Sequence, residues 1–277
     1  MTTVIVPAHN EAGSIGATLD ALRPQLDDDD ELLVVCNGCT DGTADIARAR
    51  APEAHVVEIA TPSKAAALDA GDEQASSFPR LYLDADIELA PGSVDALASA
   101  LADGGLWLAS PRARHVLAGS TAPVRSYYRI WSRLPSVRDD TVGKGCYAVN
   151  AQGRACFDRF ADVLGDDHFV RDAVPPERRG VVADAVSTIQ APRTLPAVLR
   201  RKVRTLEGNA ALDRTGEQAV RRARSRQRQW LGVVAECPPL ALDLPVFLGV
   251  SLSSRALVAW RRRRGREGVE WTRDDTH

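Results

Sequence analysis

Short apolar runs alternate with helical patterns through the first hundred residues, and this alternation constrains the fold more than any other feature. Four runs rich in β-branched residues occur, and one helical pattern separates each from the next. They are TVIVP (3–7), ELLVVC (31–36), HVVEI (55–59) and RLYLD (80–84). Strands separated by single helices predict βαβ crossovers and a mainly parallel sheet with both faces covered by helices. In such sheets, ligands bind beyond the carboxyl ends of the strands.

The remaining pattern extends the same α/β plan and then becomes helical. Further strands are predicted at 105–112, 142–150 and 179–192, and helices near 14–22, from Thr43, from Ser63, at 90–101 and after a turn at 163–167. Residues 112–141 form a less regular excursion with aromatic and basic residues. From Leu195 to Trp230 the pattern predicts a long basic helical region with an interruption near Gly208.

The charges of the chain are distributed unevenly, although the formal net charge is only −2. Residues 1–110 contain 19 acidic and 5 basic residues, and the balance reverses after that point. This split suggests an acidic half that uses a metal and a basic half that meets phosphates or an anionic surface. Two solvated faces are the alternative. We predict divisions at 1–110, 111–230 and 231–277.

The cysteines and the N-terminus indicate a reducing compartment. Five cysteines without paired spacing argue against a disulfide framework. The CNGC sequence at 36–39 lacks the second ligand pair of a zinc site. A strand pattern begins at residue 2 and leaves no room for a signal peptide. We therefore expect a cytoplasmic protein.

The segment 238–266 combines an apolar stretch with an arginine cluster. From Leu240 to Trp260 it is similar to a membrane span followed by positive charges. Its uncharged part, 244–254, would cover about 17 Å as a helix, against about 30 Å of hydrocarbon. We predict an amphipathic or half-inserted anchor with Arg261–Arg264 on anionic headgroups, peripheral at the inner face of the cell membrane. A packing helix at a domain or dimer interface is the alternative.

Two acids follow the fourth predicted strand. Because strand side chains alternate, Asp84 and Asp86 are expected to project to the same side while Ala85 faces away. Two adjacent carboxylates repel unless a cation lies between them, and Mg²⁺ or Mn²⁺ accepts carboxylate oxygens together with water and substrate phosphates. The pair therefore predicts a divalent metal site for a pyrophosphate-bearing ligand.

Four blocks of the sequence together resemble family 2 glycosyltransferases of the GT-A fold. They are VIVPAHNEAGSIGATLDAL (4–22), VVCNGCTDGTADIA (34–47), SKAAALDAGD (63–72) and LYLDADIEL (81–89). The order and spacing of the blocks are those of the family. The resemblance continues more thinly through VGKGCYAVN (142–150), GDDHFVRD (165–172) and RRKVRTLEGN (200–209).

The resemblance implies a fold, a reaction and a set of residues. The fold would be α/β of the GT-A type, a Rossmann-like mainly parallel sheet flanked by helices, with a C-terminal helical membrane-associating extension. The reaction would be inverting transfer of a sugar from a nucleotide-diphosphate sugar to an acceptor hydroxyl on a lipid-linked molecule, a glycan or a small metabolite. No nucleic-acid partner is expected. Residues expected to bind the nucleotide sugar are Pro7, Ala8, Glu11, Asn37, Asp41, Lys64 and Asp84.

The same resemblance assigns the reacting groups. Asp86, with Asp84, would hold Mn²⁺ or Mg²⁺ against the leaving diphosphate, and Asp167 would be the general base that takes the acceptor proton. Arg201 and Arg204, three residues apart on one helical face, would contact the diphosphate or a phosphorylated acceptor. Asn37 stands where many relatives have an aspartate that contacts the nucleobase, so the sequence does not determine which nucleobase the donor carries.

Two other functions remain as alternatives. A nucleotidyltransferase with a related sheet would need a glycine-rich loop after the first strand, where PAHNEAG (7–13) stands instead. A catalytically degenerate subunit would bind a nucleotide sugar without transferring it. The intact Asp84, Asp86 and Asp167 argue against that second alternative.

Overall fold

The computed structural model describes residues 1–162, 165–212 and 229–264. The chain divides into two compact units. Unit 1 comprises Met1–His115, Thr141–Asp162 and Asp166–Ile189, and unit 2 comprises Val116–Asp140, Val163–Gly165 and Gln190–His277. The divisions predicted from the sequence at 110 and 230 stay a prediction.

One mixed sheet organises unit 1. Its strands are β1 (Thr3–Ala8), β2 (Glu31–Asn37), β3 (His55–Ile59), β4 (Arg80–Leu83), β5 (Glu88–Leu89), β6 (Leu108–Val116), β7 (Cys146–Val149) and β8 (Arg179–Gln190). The strand order is β3-β2-β1-β4-β7-β6-β8-β5. The pairs β3-β2, β2-β1 and β1-β4 are parallel, whereas β4-β7, β7-β6 and β8-β5 are antiparallel. The predicted α/β fold is confirmed, with its parallel strands in the N-terminal half.

The described helices fall in both units. They are α1 (Ile15–Leu22), α2 (Thr43–Arg50), α3 (Lys64–Gln74), α4 (Ser93–Ala102), α5 (Ala122–Trp131), α6 (Pro135–Arg138), α7 (Ala151–Arg154), α8 (Asp166–Ala173), α9 (Leu195–Leu212), α10 (Gln229–Glu236) and α11 (Leu244–Arg263). The interruption predicted near Gly208 is wrong, because α9 continues through Gly208 to Leu212. A single glycine costs a helix only about 1 kcal/mol relative to alanine, and neighbouring packing can offset that cost.

Apolar residues on both faces of the sheet anchor unit 1. Along β1, Val4 and Val6 pack into one buried cluster, while Ile5 packs into the cluster on the opposite face. Helix α3 approaches β1 closely at Gly71, where a Cβ atom would lie 2.5 Å from Ile5 Cγ2. A sheet buried on both sides gives the loops at its carboxyl edge a rigid support.

The described part of unit 2 is mainly helical, and aromatic residues form part of its core. Tyr127 and Tyr128 of α5 are buried, and their rings contact Trp131 and Phe247. Helix α11 packs against α9 and α5. The excursion predicted at 112–141 thus contains a regular helix whose aromatic residues pack against other rings.

Within the part of the chain that the structure describes, helix α11 packs through one face. Phe247, Val250, Ser254 and Val258 are buried and recur at intervals of three or four residues. The helical stretch Pro238–Arg263 is long and apolar enough to cross a membrane by length and composition, with 28% of its apolar window buried in the protein. This stretch is longer than the 244–254 segment considered from the sequence, so length alone does not exclude a span.

Candidate active site

The candidate site lies in unit 1 at the carboxyl edge of the parallel strands. Pro7 and Ala8 are buried at the end of β1, where they pair with Val35 and Cys36 of β2. The ladder between β1 and β4 ends at Ile5, before Pro7 is reached. Proline has no N–H to donate, so it fits in this central strand only because one of its two neighbouring ladders has already ended.

The loops that follow β1 and β2 are held together by hydrogen bonds. The Glu11 backbone N–H donates to Thr43 Oγ1 at 2.8 Å, and the Ala12 N–H donates to Asp41 Oδ2 at 3.2 Å. Asp41 Oδ1 in turn accepts from the Thr43 N–H at 3.0 Å. The structure therefore brings Glu11 and Asp41, both predicted to bind nucleotide, into one network.

Asn37 ends β2 and is completely buried. Its Nδ2 donates to the Ala8 carbonyl oxygen at 2.9 Å, and this bond fixes the side chain against the end of β1. Its Oδ1 has no hydrogen-bond partner among the residues that the structure describes. Gly38, the next residue, has a φ of +56°, and a Cβ atom there would lie 2.9 Å from Pro62 Cβ. The turn after β2 therefore requires glycine.

Asp84 and Asp86 come from a turn, which corrects the strand-alternation expectation. Strand β4 ends at Leu83, and the Ile87 N–H donates to the Asp84 carbonyl oxygen at 3.1 Å across the turn. The Asp84 N–H donates to the Gly145 carbonyl oxygen at 2.9 Å. Strand alternation therefore does not orient these two side chains, because the chain has already left the ladder.

Lys64 connects Asp84 to a second carboxylate. Lys64 is the first residue of α3, whose N-cap Ser63 accepts a hydrogen bond from the Ala66 N–H at 3.2 Å. The Lys64 Nζ atom lies 2.6 Å from Asp84 Oδ1 and 2.7 Å from Asp166 Oδ1. Asp166 is buried, and its Oδ2 accepts from the Tyr147 hydroxyl at 2.9 Å. One ammonium group therefore bridges the turn after β4 and the start of α8.

The pKa values of this cluster record an excess of negative charge. The pKa of Asp84 is raised to about 6: burial is the largest cause, Lys64 opposes it, and the carboxylates of Asp166 and Asp86 add to it. Burial alone would lower the pKa of Lys64, but Asp166 and Asp84 together hold it above its usual value. A clustered carboxylate with a raised pKa is typical of a functional site.

A glycine-flanked loop joins the acidic turn to Asp167. Gly143 and Gly145 both have positive φ, at 70° and 65°. The Gly143 N–H donates to Asp167 Oδ2 at 2.6 Å, while the Gly145 carbonyl accepts from Asp84. A Cβ atom at Gly145 would lie 2.4 Å from Ile87 Cγ1. The acidic turn and the residue predicted as the general base thus share one short loop.

Asp84 and Asp86 carry the oxygen donors that a divalent cation prefers. Among the described residues no group of three or more histidine, cysteine, aspartate or glutamate side chains could hold a metal, so metal binding by this pair stays a prediction. Their carboxylate oxygens are hard ligands, and the surrounding negative charge favours a cation. Magnesium commonly binds through one or two carboxylates, with phosphates and water completing its coordination.

The other predicted residues are placed as follows. Arg201 and Arg204 lie on α9 in unit 2, where Arg201 Nη1 donates to the Gln190 carbonyl oxygen at 3.5 Å. Their contact with phosphate stays a prediction. The backbone N–H of His168 donates to Asp167 Oδ1 at 2.8 Å.

Sequence reasoning missed three parts of the site. Asp166 lies in the block GDDHFVRD, but the sequence assigned it no role, although it is the second partner of Lys64. Tyr147 and the Gly143–Gly145 loop were assigned only to a strand pattern. Two glycines on either side of a lysine directly before a strand were the available signal, because paired positive-φ positions predict a tight turn.

Comparison with solved structures shows what the fold is similar to. The mannosyltransferase PcManGT from Pyrobaculum calidifontis, in complex with GDP-Man and Mn²⁺, has a TM-score of 0.60 at 23% identity, over 96% of this chain and 79% of that one. S. aureus TarS 1-349 has a TM-score of 0.54 at 16% identity, over 98% and 93%. The complex of TarS 1-349 with UDP-GlcNAc matches with a TM-score of 0.53 at 18% identity, over 69% and 58%.

These similarities below 25% identity show the fold, and a sequence comparison shows the family. This chain spans 58% of the TarS chain bound to UDP-GlcNAc and 38% of another TarS chain. No curated protein matches the chain in sequence. The family described as Glycosyl transferase family 2 matches residues 3–162, which is more than half of the chain. The protein therefore belongs to glycosyltransferase family 2.

Proposed function

We propose that the protein transfers a sugar from a nucleotide-diphosphate sugar to an acceptor hydroxyl with inversion at the anomeric carbon. The observation that carries this proposal is the Gly143–Gly145 loop, which hydrogen-bonds the turn of Asp84 at one end and the carboxylate of Asp167 at the other. Leaving-group stabilisation and proton removal have to occur on either side of the same sugar carbon. Family membership supports the reaction class.

On the donor side, the loops after β1 and β2 would hold the nucleoside, and the turn after β4 would face the diphosphate. Proteins that share the fold are described with UDP-GlcNAc and with GDP-Man and Mn²⁺. We propose that this protein uses a donor of the same class, a nucleotide-diphosphate sugar. Asp84 and Asp86 would hold the Mn²⁺ or Mg²⁺. When bound, such an ion supplies Lewis-acid stabilisation of charge on the leaving diphosphate.

On the acceptor side, Asp167 would take the proton from the attacking hydroxyl. Its Oδ2 accepts from the Gly143 N–H and its Oδ1 from the His168 N–H, so two backbone donors orient the carboxylate. A single base with direct displacement gives inversion. General base catalysis of this kind contributes about 10² to 10⁴ in rate.

The test separates donor binding from transfer. Purified protein is incubated with radiolabelled UDP- and GDP-sugars, Mn²⁺ and a lipid and glycan extract, and label in the acceptor fraction is measured. We expect Asp167→Asn to keep Mn²⁺-dependent donor binding and to lose about 10³ in transfer rate. Asp86→Ala should lose donor binding. If Asp167→Asn transfers normally, the base assignment is wrong. If the wild-type protein binds donor but transfers no label, a binding subunit is the better description.

A second proposal concerns location: we propose that α11 lies on an anionic membrane surface. Leu252 and Trp260 of α11 are 63% and 42% exposed, Leu242 just before the helix is 88% exposed, and α11 uses its opposite face to pack into unit 2. Arg255, Arg262 and Arg263 are exposed on the same helix. Apolar side chains flanked by arginines are typical of helices that lie in the membrane interface. A spanning orientation would place Arg255 in hydrocarbon, at a substantial cost.

Vesicle binding tests this proposal. Wild-type protein should sediment with vesicles of phosphatidylglycerol and phosphatidylcholine, and less with phosphatidylcholine alone. Leu252→Ser with Trp260→Ser should weaken binding about tenfold. Phe78→Ser, which changes an exposed apolar residue of unit 1, is the control. Equal vesicle binding by wild type and the double variant contradicts the proposal. A double variant that changes the oligomeric state but not vesicle binding also contradicts it.

A further inference from the structure

Lys64 was expected to bind nucleotide, but its ammonium group is already engaged within the protein. It makes two short ion pairs, at 2.6 Å to Asp84 and 2.7 Å to Asp166. The Lys64 side chain is 24% exposed and that of Asp166 only 9%. An ammonium group has three N–H donors, and two of them point to these carboxylates. These two ion pairs therefore use two of the three donors of the Lys64 ammonium group.

The surrounding charges explain why a cation is needed at this point. Asp84, Asp86 and Asp166 lie close enough for the charges of the other two to raise the pKa of Asp84. Without a positive charge between them, three partly desolvated carboxylates would repel one another. Lys64 supplies that charge before any ligand arrives.

We propose that Lys64 is a resident cation that competes with the divalent metal for Asp84 and couples metal binding to donor binding. The Lys64 ammonium occupies the Asp84 Oδ1 atom that would otherwise be open to a metal. Metal binding to the free protein is therefore weak. When a nucleoside diphosphate adds its own oxygen ligands, the combined site outcompetes the ammonium group.

The bridge also makes Lys64 a positioning residue for Asp167. Asp166 is held from both sides, by Lys64 at Oδ1 and by the Tyr147 hydroxyl at Oδ2. Asp167 follows it in the first turn of α8. A change in the Lys64 contact to Asp84 is therefore transmitted to the residue before the proposed base. This inference rests on the proposed function, because it needs a metal at Asp84 and Asp86.

Manganese binding without turnover is the direct test. Free Mn²⁺ is measured by electron paramagnetic resonance in titrations of wild type, Lys64→Met, Lys64→Arg and Asp86→Ala, with and without UDP or GDP. Lys202→Met is the matched control, because it removes a lysine of unit 2 that contacts Tyr127. We expect Lys64→Met to bind Mn²⁺ about tenfold more tightly than wild type in the absence of nucleotide, since a nearby like charge is removed.

The remaining variants sharpen the result. Lys64→Arg keeps the charge and should stay near wild type, and Lys202→Met should not change Mn²⁺ binding. The increase in Mn²⁺ affinity caused by nucleotide should be smaller in Lys64→Met than in wild type, by thermodynamic linkage. If Lys64→Met does not fold, Lys64→Gln replaces it.

The Mn²⁺ titrations distinguish a failure of the competition proposed for Lys64 from a failure of the metal assignment. If Asp86→Ala weakens Mn²⁺ binding while Lys64→Met leaves it unchanged or weaker, the metal site stands and the competition proposed for Lys64 is wrong. If Asp86→Ala and wild type bind Mn²⁺ equally, the metal assignment itself fails, and the proposal for Lys64 fails with it.

Discussion

Two partly buried lysines, one in each unit, have opposite surroundings. Lys64 lies between the carboxylates of Asp84 and Asp166, and its pKa is raised. Lys202 lies 3.1 Å from the Tyr127 hydroxyl and 5.6 Å from the centre of that ring, and burial with the nearby Arg255 lowers its pKa to about 8. The first lysine is held by opposite charges, whereas the ammonium group of the second contacts the hydroxyl and the ring of a buried tyrosine. Burial of the same side chain therefore marks a candidate active site in one unit and packing in the other.

The largest effect on stability should come from removing the charge of Lys64. We expect Lys64→Met to lower the free energy of unfolding of the metal-free protein by about 3 kcal/mol, because Asp166 would remain buried beside Asp84 without its cation. Urea unfolding in EDTA at pH 7.5 measures this change, and Lys64→Arg should lose less than half as much. A loss below about 1 kcal/mol would mean that the bridge contributes little to folding.

The second test uses pH to separate the two lysines. The folded-state pKa of Lys202 lies near 8, below its ordinary value of 10.5, so the unfolded chain binds more protons between these values. Stability should therefore rise with pH in that window. We expect the wild-type gain in unfolding free energy from pH 7.5 to 9.5 to exceed that of Lys202→Met by about 2 kcal/mol. Identical gains in the two proteins would show that Lys202 is not desolvated.

A smaller effect on stability is expected from Asp243, a buried carboxylate of unit 2. Asp243 precedes α11, is 7% exposed, and accepts from Arg129 at 2.6 Å and from Ser126 at 2.7 Å. The bond to Arg129 lowers the pKa of Asp243, so its contribution is present above the ordinary value of 3.8 and is lost as pH falls through the folded-state value. Asp243→Asn should cost about 1.5 kcal/mol at pH 7 in urea unfolding. An unchanged midpoint would show that the pair does not stabilise α11.

The smallest effect is expected on the outer face of α11. Leu252 is 63% exposed, so Leu252→Ala should change the free energy of unfolding by less than about 0.5 kcal/mol. Thermal unfolding in the absence of lipid measures this difference. A loss above about 1 kcal/mol would place Leu252 in a packed interface of the protein.

Much of the fold and part of the site could be predicted from the sequence. The strands β1 to β4 and the helices between them follow from patterns confined to ten or fifteen residues. The family was recognisable from four local blocks, and the family match over residues 3–162 confirms it. Asp84 and Asp86 could be named because they stand in one of these blocks, and Asp167 because it lies in the thinner resemblance at 165–172. Their roles stay predictions.

The tertiary structure decided the contacts between distant segments. Side-chain alternation was expected to orient Asp84 and Asp86, but the ladder of β4 ends at Leu83, where its partner β7 begins at Cys146. The pairing of Lys64 with Asp166 joins residues about a hundred positions apart, and no local periodicity records such a pair. Local sequence fixes periodicity and capping because those depend on near neighbours. Whether a buried charged side chain is neutralised depends on contacts with segments that are distant in the sequence.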